Sequence, residues 1–504
     1  METTKKTNLV ATVELTALTP IHIGTGQKMA PNAGFVHFPD EHKVAVLDEE
    51  KVLAVVGSSQ IQTWVGLIHK NESLYKWLTG GRPNLRAADV ARRTLHVPGP
   101  LGNTQEFRPM MHTGPAAEWP YIPGSSVKGA VRTALFAAAV LKNGPREFPQ
   151  NERISGKWSA ESMTKDVFGA DPNHDYLRLL HIGDTHFAAG STWCLKAEVL
   201  NQTDAGFQRK IPHLLEVLPV GATATATWHL AATLAGRAKS AGTLNPPAAL
   251  ADFSALLQAI NSHTLRLVEN ELKRLPAREE DSYCAALLDV QAACKQCKKS
   301  NGREAIARVG FGSGHSAMTG DWLDRLSESQ RAAVARAARR RDGYERFPFP
   351  KSRKLVPGAE GGAVAVPLGF LKLTLLTDEE KTRRAAQRQT DETAAAAHKA
   401  IEEAQADAEK AKANTAQHLP NRVKNGNEFE AVVIAFAGIQ LTLKVLIGAV
   451  AMPPQAQHEQ TVTLRYPSGL PVGAVVRVSI GEEQKGKIRS VTFKSIKFDP
   501  SKNS

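Results

Sequence analysis

The sequence predicts an α+β protein built of several domains, and three observations carry that expectation. Residues Leu9 to Leu18 alternate apolar and polar side chains, with Leu9, Ala11, Val13 and Leu15 against Val10, Thr12, Glu14 and Thr16, the pattern of a strand with one buried face. Val127, Val131, Ala134, Leu135 and Ala138 recur at three- and four-residue steps, which is the period of a helix. From Thr377 to Asn427 the composition shifts to Ala, Glu, Lys, Gln and Arg with alternating charge signs, and from Glu428 it shifts again to short strand-like runs. A chain of 504 residues exceeds a single core, so about two to four domains are expected.

Taken in order, the first strand runs into Thr19-Pro-Ile-His-Ile-Gly-Thr-Gly26, a glycine-bearing turn that permits close approach of backbone to a ligand. Phe35–Phe38 and Val44–Leu47 flank Pro39-Asp-Glu-His42 as a hairpin. A helix is predicted from Asp48, and helical periodicity continues from Ile61 to Leu78. Residues 80–117, rich in Gly, Pro, Arg and His, read as an inserted surface loop. Leu177–Phe187, Cys194–Leu200 and Thr223–Leu230 read as strands, 248–298 as largely helical, and Val364–Leu375 as a closing strand. The stretch 377–427 reads as a solvent-exposed helical linker. Beyond it, runs at 431–436, 439–445, 461–466, 474–480 and 491–498 suggest a small β-rich domain, with an OB-like barrel among the folds that fit. The resulting divisions are 1–240, 241–376, 377–427 and 428–504.

The stretch Tyr121-Ile-Pro-Gly-Ser-Ser-Val-Lys-Gly-Ala-Val-Arg-Thr-Ala-Leu135 organises the rest. Pro123-Gly124 breaks the chain, Ser125 or Ser126 can cap the helix that follows, and backbone N–H groups at such a terminus favour an anion. Lys128 and Arg132 share one face four residues apart. Their repulsion at the positive helix end would be relieved by a bound phosphate; a capped helix with a solvated basic face is the plain alternative. The order Lys128-Gly129, with no hydroxyl until Thr133, departs from the nucleotide-hydrolysing P-loop and argues against an NTPase.

A second glycine-rich stretch, Arg308-Val-Gly-Phe-Gly-Ser-Gly-His315, places Gly310, Gly312 and Gly314 between Arg308 and His315. Its spacing departs from the dinucleotide fingerprint. Residues 331–354 are the most basic window and include Lys351, Arg353 and Lys354, with Phe347 and Phe349 interleaved. That mixture suits a phosphate backbone with rings available for base stacking. The formal net charge of +13 and a pI near 9.5 agree with a polyanionic partner, nucleic acid being the commonest, although charge alone would also suit an anionic membrane. No apolar run is long enough to span a bilayer, at about 18 residues, and Met1–Thr7 lacks a signal-peptide core. A cytoplasmic protein without membrane partners is expected.

No metal or cofactor is expected. Cys294-Lys-Gln-Cys297, with Cys284 upstream, lacks a second ligand pair for zinc and reads as helical thiols. His181, Asp184 and His186 do not share one strand face.

Pro20–Gly26, Tyr121–Leu135 and Gly310-Phe-Gly-Ser-Gly314 together resemble the RAMP superfamily of CRISPR effector subunits. Phe349–Leu355 followed by Val366–Phe370 looks most like the Csm-type subunit that caps the crRNA 3′ end in type III-A complexes. The resemblance covers roughly residues 9–376. It implies tandem ferredoxin-like (RRM-like) domains with glycine-rich loops, crRNA binding, docking on the last backbone RAMP subunit, and support of crRNA maturation and antiviral defence. Partners implied are crRNA and target RNA, the other subunits of the type III complex, and host nucleases. His22, Gly24, Gly26, Gly124, Ser125, Ser126, Lys128, Arg132, Gly310, Gly312 and Gly314 become candidate RNA contacts by motif; Arg308, His315, Lys351, Arg353 and Lys354 join them by position. Backbone subunits of this superfamily cut target RNA with an aspartate soon after the first glycine turn, but Gln27–Phe38 holds none, so a non-catalytic subunit is expected. A metal-independent crRNA-processing endoribonuclease is the alternative. It would need a near-neutral histidine such as His22 or His315 as acid or base. A scaffold whose basic surface only screens an acidic partner is the third reading.

Overall fold

A computed structural model describes residues 8–387 apart from 83, 102–105, 115–117, 144–152, 155–156, 159–160, 204–205, 243–245, 276–280, 322–326, 330–351 and 358–364, and residues 426–498 apart from 438–439, 447–458, 466–469 and 485–486. The chain divides into two compact units, Met1–Lys381 and Thr382–Ser504.

The first unit opens with β1 (Leu9–Ala17), β2 (Phe35–Phe38), β3 (Lys43–Leu47), α1 (Glu49–Val56), α2 (Ile61–Lys70), α3 (Leu74–Thr79) and α4 (Ala87–Val90). It continues through β4 (Ala91–His96), β5 (Phe107–Arg108), β6 (Tyr121–Ile122), α5 (Gly124–Asn143), β7 (Arg153–Ile154), β8 (Lys157–Trp158) and α6 (Glu161–Phe168). Then come β9 (Leu180–Ile182), β10 (Thr185–His186), β11 (Trp193–Thr203), β12 (Gly206–Val217), β13 (Thr223–Leu230) and α7 (Ala232–Ser240). It closes with α8 (Phe253–Arg274), α9 (Asp281–Lys298), β14 (Glu304–Arg308), α10 (His315–Thr319), β15 (Ser352–Pro357), β16 (Ala365–Pro367) and β17 (Phe370–Leu375).

The alternation in β1 does place Val13, Leu15 and Ala17 in the core, at the centre of an antiparallel sheet of order β14-β17-β1-β13-β9. Helices α5 and α8 cover that sheet, because Val127, Val131, Ala134 and Leu135 of one and Leu256, Leu257 and Ile260 of the other join one apolar cluster with Val13, Leu15, Leu371 and Leu373. Among the described residues, 241–376 do not build a sheet of their own. Their β17 pairs with β1 from Val13↔Leu375 to Ala17↔Leu371 and satisfies the edge of the first strand, while β15 and β16 join a different sheet.

That second sheet has the order β16-β15-β11-β4-β3-β2, with β12 paired to β11 and β5. It corrects the expected surface loop at 80–117, which contains α4, β4 and β5. Leu95 and Phe107 are fully buried there, and β4 pairs with β3 from Lys43↔His96 to Leu47↔Ala91. The expected strand Leu177–Phe187 is broken into a 3-10 turn, β9 and β10, with Gly183 and Asp184 between the two strands. The helical run Ile61–Leu78 is also interrupted: α2 ends at Asn71 in a left-handed cap, and Ser73 caps α3 by accepting from Lys76 N.

At 377 the expected helix begins with reciprocal capping, Glu380 N donating to Thr377 Oγ1 at 3.2 Å and Thr377 N to Glu380 Oε2 at 2.9 Å. Residues 378–387 are helical, and the rest of the expected linker lies outside the described residues.

The second unit holds β18 (Glu428–Ala437), β19 (Gln440–Leu446), β20 (Glu459–Arg465), β21 (Val475–Gln484) and β22 (Lys487–Phe498). They form a sheet of order β20-β19-β18-β21-β22 around Phe429, Ala431, Val433, Leu441, Leu443, Val476 and Val478. The sheet curls until its outer strands meet, where Ile488 N of β22 donates to Gln460 Oε1 of β20 at 2.6 Å.

Candidate nucleic-acid interface

The two glycine-bearing stretches meet. Phe311 N donates to His22 O at 2.8 Å, and Gly369 N to Pro20 O at 3.0 Å, so the turn after β1 lies against the loop after β14 and the turn before β17. On its other side the turn is held by Met111 N donating to Ile23 O at 2.8 Å. Gly310 is required where the two meet: its φ is +74°, and a Cβ there would sit 2.5 Å from His22 O.

His22 itself faces inward. It is 2% exposed, its Nδ1 donates to Glu216 O at 2.6 Å, and its ring meets Phe311 edge-on. Burial lowers its pKa, against the opposing pull of Glu216. The expectation that His22 touches RNA is therefore corrected, and the missing side chain of Gly24 leaves room for its ring: a Cβ on Gly24 would approach His22 Nε2 to 2.7 Å.

Beneath the turn lies a polar hub centred on Glu216, whose side chain is fully buried. Arg93 of β4 donates to it twice, at 3.0 and 2.9 Å. Met110 N donates at 3.0 Å, Thr192 Oγ1 at 2.9 Å, and His112 Nε2 lies 3.2 Å away. Burial alone would push this carboxyl up, but His112 and the Arg93 guanidinium hold it down to about 2. The hub explains how β4 can be an interior strand despite Arg93, while Arg92 is exposed and reaches Glu118 at 3.4 Å.

Phe311, half-buried, is flanked by cations. Lys354 Nζ sits 3.4 Å from its ring centroid and Arg108 Cζ 5.4 Å from it. Burial and the Arg108 charge both lower the Lys354 pKa. Lys28 and Arg108 each reach Glu106 at 2.7 Å, and His213 stands in the same field, its pKa lowered first by burial and then by Arg108. Of this group the sequence singles out Lys354 alone, and not Arg108, Lys28, His213 or Phe311. The ring between two glycines, Gly310-Phe-Gly312, was the available signal.

The other cations divide sharply. Arg308 is buried, donates to Glu271 Oε2 at 2.7 Å and stacks on Phe370, so it belongs to the core and not to a phosphate site. Arg353 also turns to Glu271, at 3.5 Å, with its side chain 10% exposed. Tyr283 OH completes that cluster at 2.7 Å. Both arginines answer a carboxylate brought by α8, a pairing that the basic window did not reveal. Gly312, Gly314, His315, Arg274 and Lys354 share a pocket with this cluster. His315 is half-buried on α10, its carbonyl accepting from Thr319 Oγ1 at 2.8 Å. Gly312 makes room for Leu368, whereas Gly26 and Gly314 face open space. Lys351 lies outside the described residues.

At the start of α5 the anion expected from outside is supplied by the chain. Gly124 N donates to Asp184 Oδ1 at 2.7 Å, Ser126 N donates to Pro123 O at 2.9 Å, and a Cβ on Gly124 would meet Ile182 O at 1.9 Å. Arg132 pairs with Asp175 at 2.5 Å and lies 3.9 Å over the Phe168 ring. Burial lowers the Lys128 pKa, with Asp175 opposing. Asp175 thus relieves the Lys128–Arg132 repulsion that a phosphate was expected to relieve. Ser125 is exposed. One link runs from this helix to the glycine loops, Thr133 Oγ1 to Met318 O of α10 at 3.5 Å.

Among the described residues no group of three or more His, Cys, Asp or Glu could hold a metal. Cys294 and Cys297 are buried on α9, where burial pushes their thiols up to about 12 and about 11. No helix among the described residues is long and apolar enough to cross a membrane.

An α+β chain with several sheets and paired glycine turns beside a cation-flanked ring is the class that fold and site define. A family model described as the RAMP superfamily matches residues 14–316. The chain belongs to that superfamily. A structure entitled "Cryo-EM structure of Csm-crRNA-target RNA ternary complex in type III-A CRISPR-Cas system" contains a chain that is 19% identical, with a TM-score of 0.53; the match covers 73% of this chain and all, 100%, of that one. A second, "Crystal structure of T.onnurineus Csm5", is 16% identical with a TM-score of 0.47, covering 72% of this chain and 100% of that one. No curated protein matches this sequence.

Proposed function

We propose that this chain is a non-catalytic crRNA-binding subunit of a type III CRISPR effector complex, capping the 3′ end of the guide and supporting crRNA maturation and antiviral defence in the cytoplasm. Its partners on this reading are crRNA, target RNA, the backbone RAMP subunits and host nucleases. The observation that carries it is the junction of the two glycine turns, where Lys354 and Arg108 flank Phe311. Gly26, Gly314 and Ser125 offer open approach for a ribose–phosphate backbone. The helix-bearing order of the first sheet, with α5 after β1 and α8 after β13, supports a ferredoxin-like unit; a second such unit is drawn from the resemblance alone. The inward His22 gives the endoribonuclease reading less support, because a buried imidazole with a lowered pKa is ill placed to exchange protons with a strand.

The test is single-stranded RNA binding as a function of salt. Lys354→Ala with Arg108→Ala should lower the slope of log affinity against log salt by roughly 1.4, about 0.7 for each phosphate no longer neutralised. An unchanged slope would remove this site from the RNA path.

A further inference from the structure

We infer that the second unit carries its own face for single-stranded RNA, on the outer side of β20 and β22. The inference goes beyond the reading above, since it concerns residues outside the family match, which ends at residue 316.

With β18 paired to β19 and β21, β19 to β20 and β21 to β22, all antiparallel, the meeting of β20 and β22 closes a five-stranded barrel. Antiparallel pairing throughout makes those two strands run parallel. This closure pattern is OB-like, a fold whose second and third strands, here β19 and β20, face oligonucleotides, and β22 lies beside β20. Fold alone assigns no function, so the chemistry of the surface decides.

The inner positions of β22 are apolar: Ile488, Val491, Phe493 and Ile496 join the barrel core. The outward positions Lys487, Arg489 and Lys494 are exposed, as are Thr461, Thr463 and Arg465 on β20. None of these four cations makes an ion pair among the described residues. The acids on the opposite side of the barrel are answered locally, Arg477 reaching Glu430 at 3.4 Å and Glu428 at 4.0 Å. Exposed Glu482 stands near the β21–β22 hairpin, in register with Ser490. The face is therefore cationic with hydroxyls between the charges.

Geometry favours a single strand over a duplex. Side chains two apart on a strand project about 6.6 Å from each other, close to the separation of successive phosphates on an extended chain. A duplex groove would call for a projecting helix or ribbon, and residues 426–498 show no helix where they are described.

The experiment uses the full chain and an oligouridine of about 16 nucleotides, the upper site size of one such barrel. Ultraviolet crosslinking should attach the RNA to peptides within 459–498. The triple variant Lys487→Glu, Arg489→Glu, Lys494→Glu should abolish those crosslinks and lower the salt slope by roughly 2, at about 0.7 per phosphate. The Lys354→Ala, Arg108→Ala variant should keep them, so failure of one site is distinguishable from failure of the other. Crosslinks absent from 459–498 in the wild-type chain, together with a slope that charge reversal leaves unchanged, would overturn the inference. So would a triple variant that keeps its RNA slope but loses a protein partner after nuclease treatment.

Discussion

Replacing Glu216 by glutamine should cost the first unit about 3 kcal/mol at neutral pH, and the loss should vanish in acid. The carboxyl is buried and takes two bonds from Arg93, one from Met110 N and one from Thr192. Although burial opposes ionisation, His112 and Arg93 pull its pKa from 4.5 to about 2. At about 1.4 kcal/mol per pH unit, that displacement stabilises the fold by about 3 kcal/mol. It lies at the low end of the roughly 3 to 5 kcal/mol seen when a buried pair loses one partner. The sign follows from the depressed pKa. The contribution is fully present above 4.5 and is lost as pH falls towards about 2, so wild type and Glu216→Gln should converge there. All 7 tryptophans precede Thr382, so denaturant unfolding followed by tryptophan fluorescence reports the first unit alone. A loss below about 1 kcal/mol, the range of an exposed pair, or a gap that persists at low pH, would refute the claim that this carboxylate is held ionised by its neighbours.

Gly124→Ala should destabilise the first unit by more than about 2 kcal/mol, because its Cβ would lie 1.9 Å from Ile182 O, whereas Gly129→Ala, with nothing within 4 Å, should stabilise α5 by about 0.5 to 1 kcal/mol; melting temperatures of the two variants check the opposite signs. Asp184→Ala removes the acceptor for Gly124 N and should cost about 1 kcal/mol in denaturant unfolding. Arg308→Ala takes from Glu271 its nearest cation, leaving Arg353 at 3.5 Å and the Tyr283 hydroxyl, and should cost roughly 3 kcal/mol while leaving the salt slope of RNA binding intact. Lys354→Ala should do the reverse, lowering the slope with little change in stability; measuring both quantities on both variants separates a core cation from a surface one.

That separation is also where the sequence stopped being legible. Period-two alternation located β1, and short strand-like runs located β13 and the five strands of the second unit, because each signal is written within a few residues. Strand β4, Ala-Arg-Arg-Thr-Leu-His, carries no such pattern, since Arg93 is accommodated by a carboxylate 123 residues away. Arg308 looked like a phosphate ligand for the same reason: its neighbour in sequence is a glycine loop, but its neighbour in space is Glu271 of α8. A cation beside a glycine turn is read correctly only once every buried carboxylate has been matched, because burying a charge without its partner costs several kcal/mol and such partners are drawn from any distance along the chain. Applied here, the rule leaves Glu216 to Arg93, Glu271 to Arg308 and Arg353, Asp321 to Arg266 and the half-buried Asp175 to Arg132, and it leaves the half-buried Lys354 over an aromatic ring. The proposed strand-binding surface therefore depends on which positive charges the interior did not claim, and that is a property of the folded chain that no local motif records.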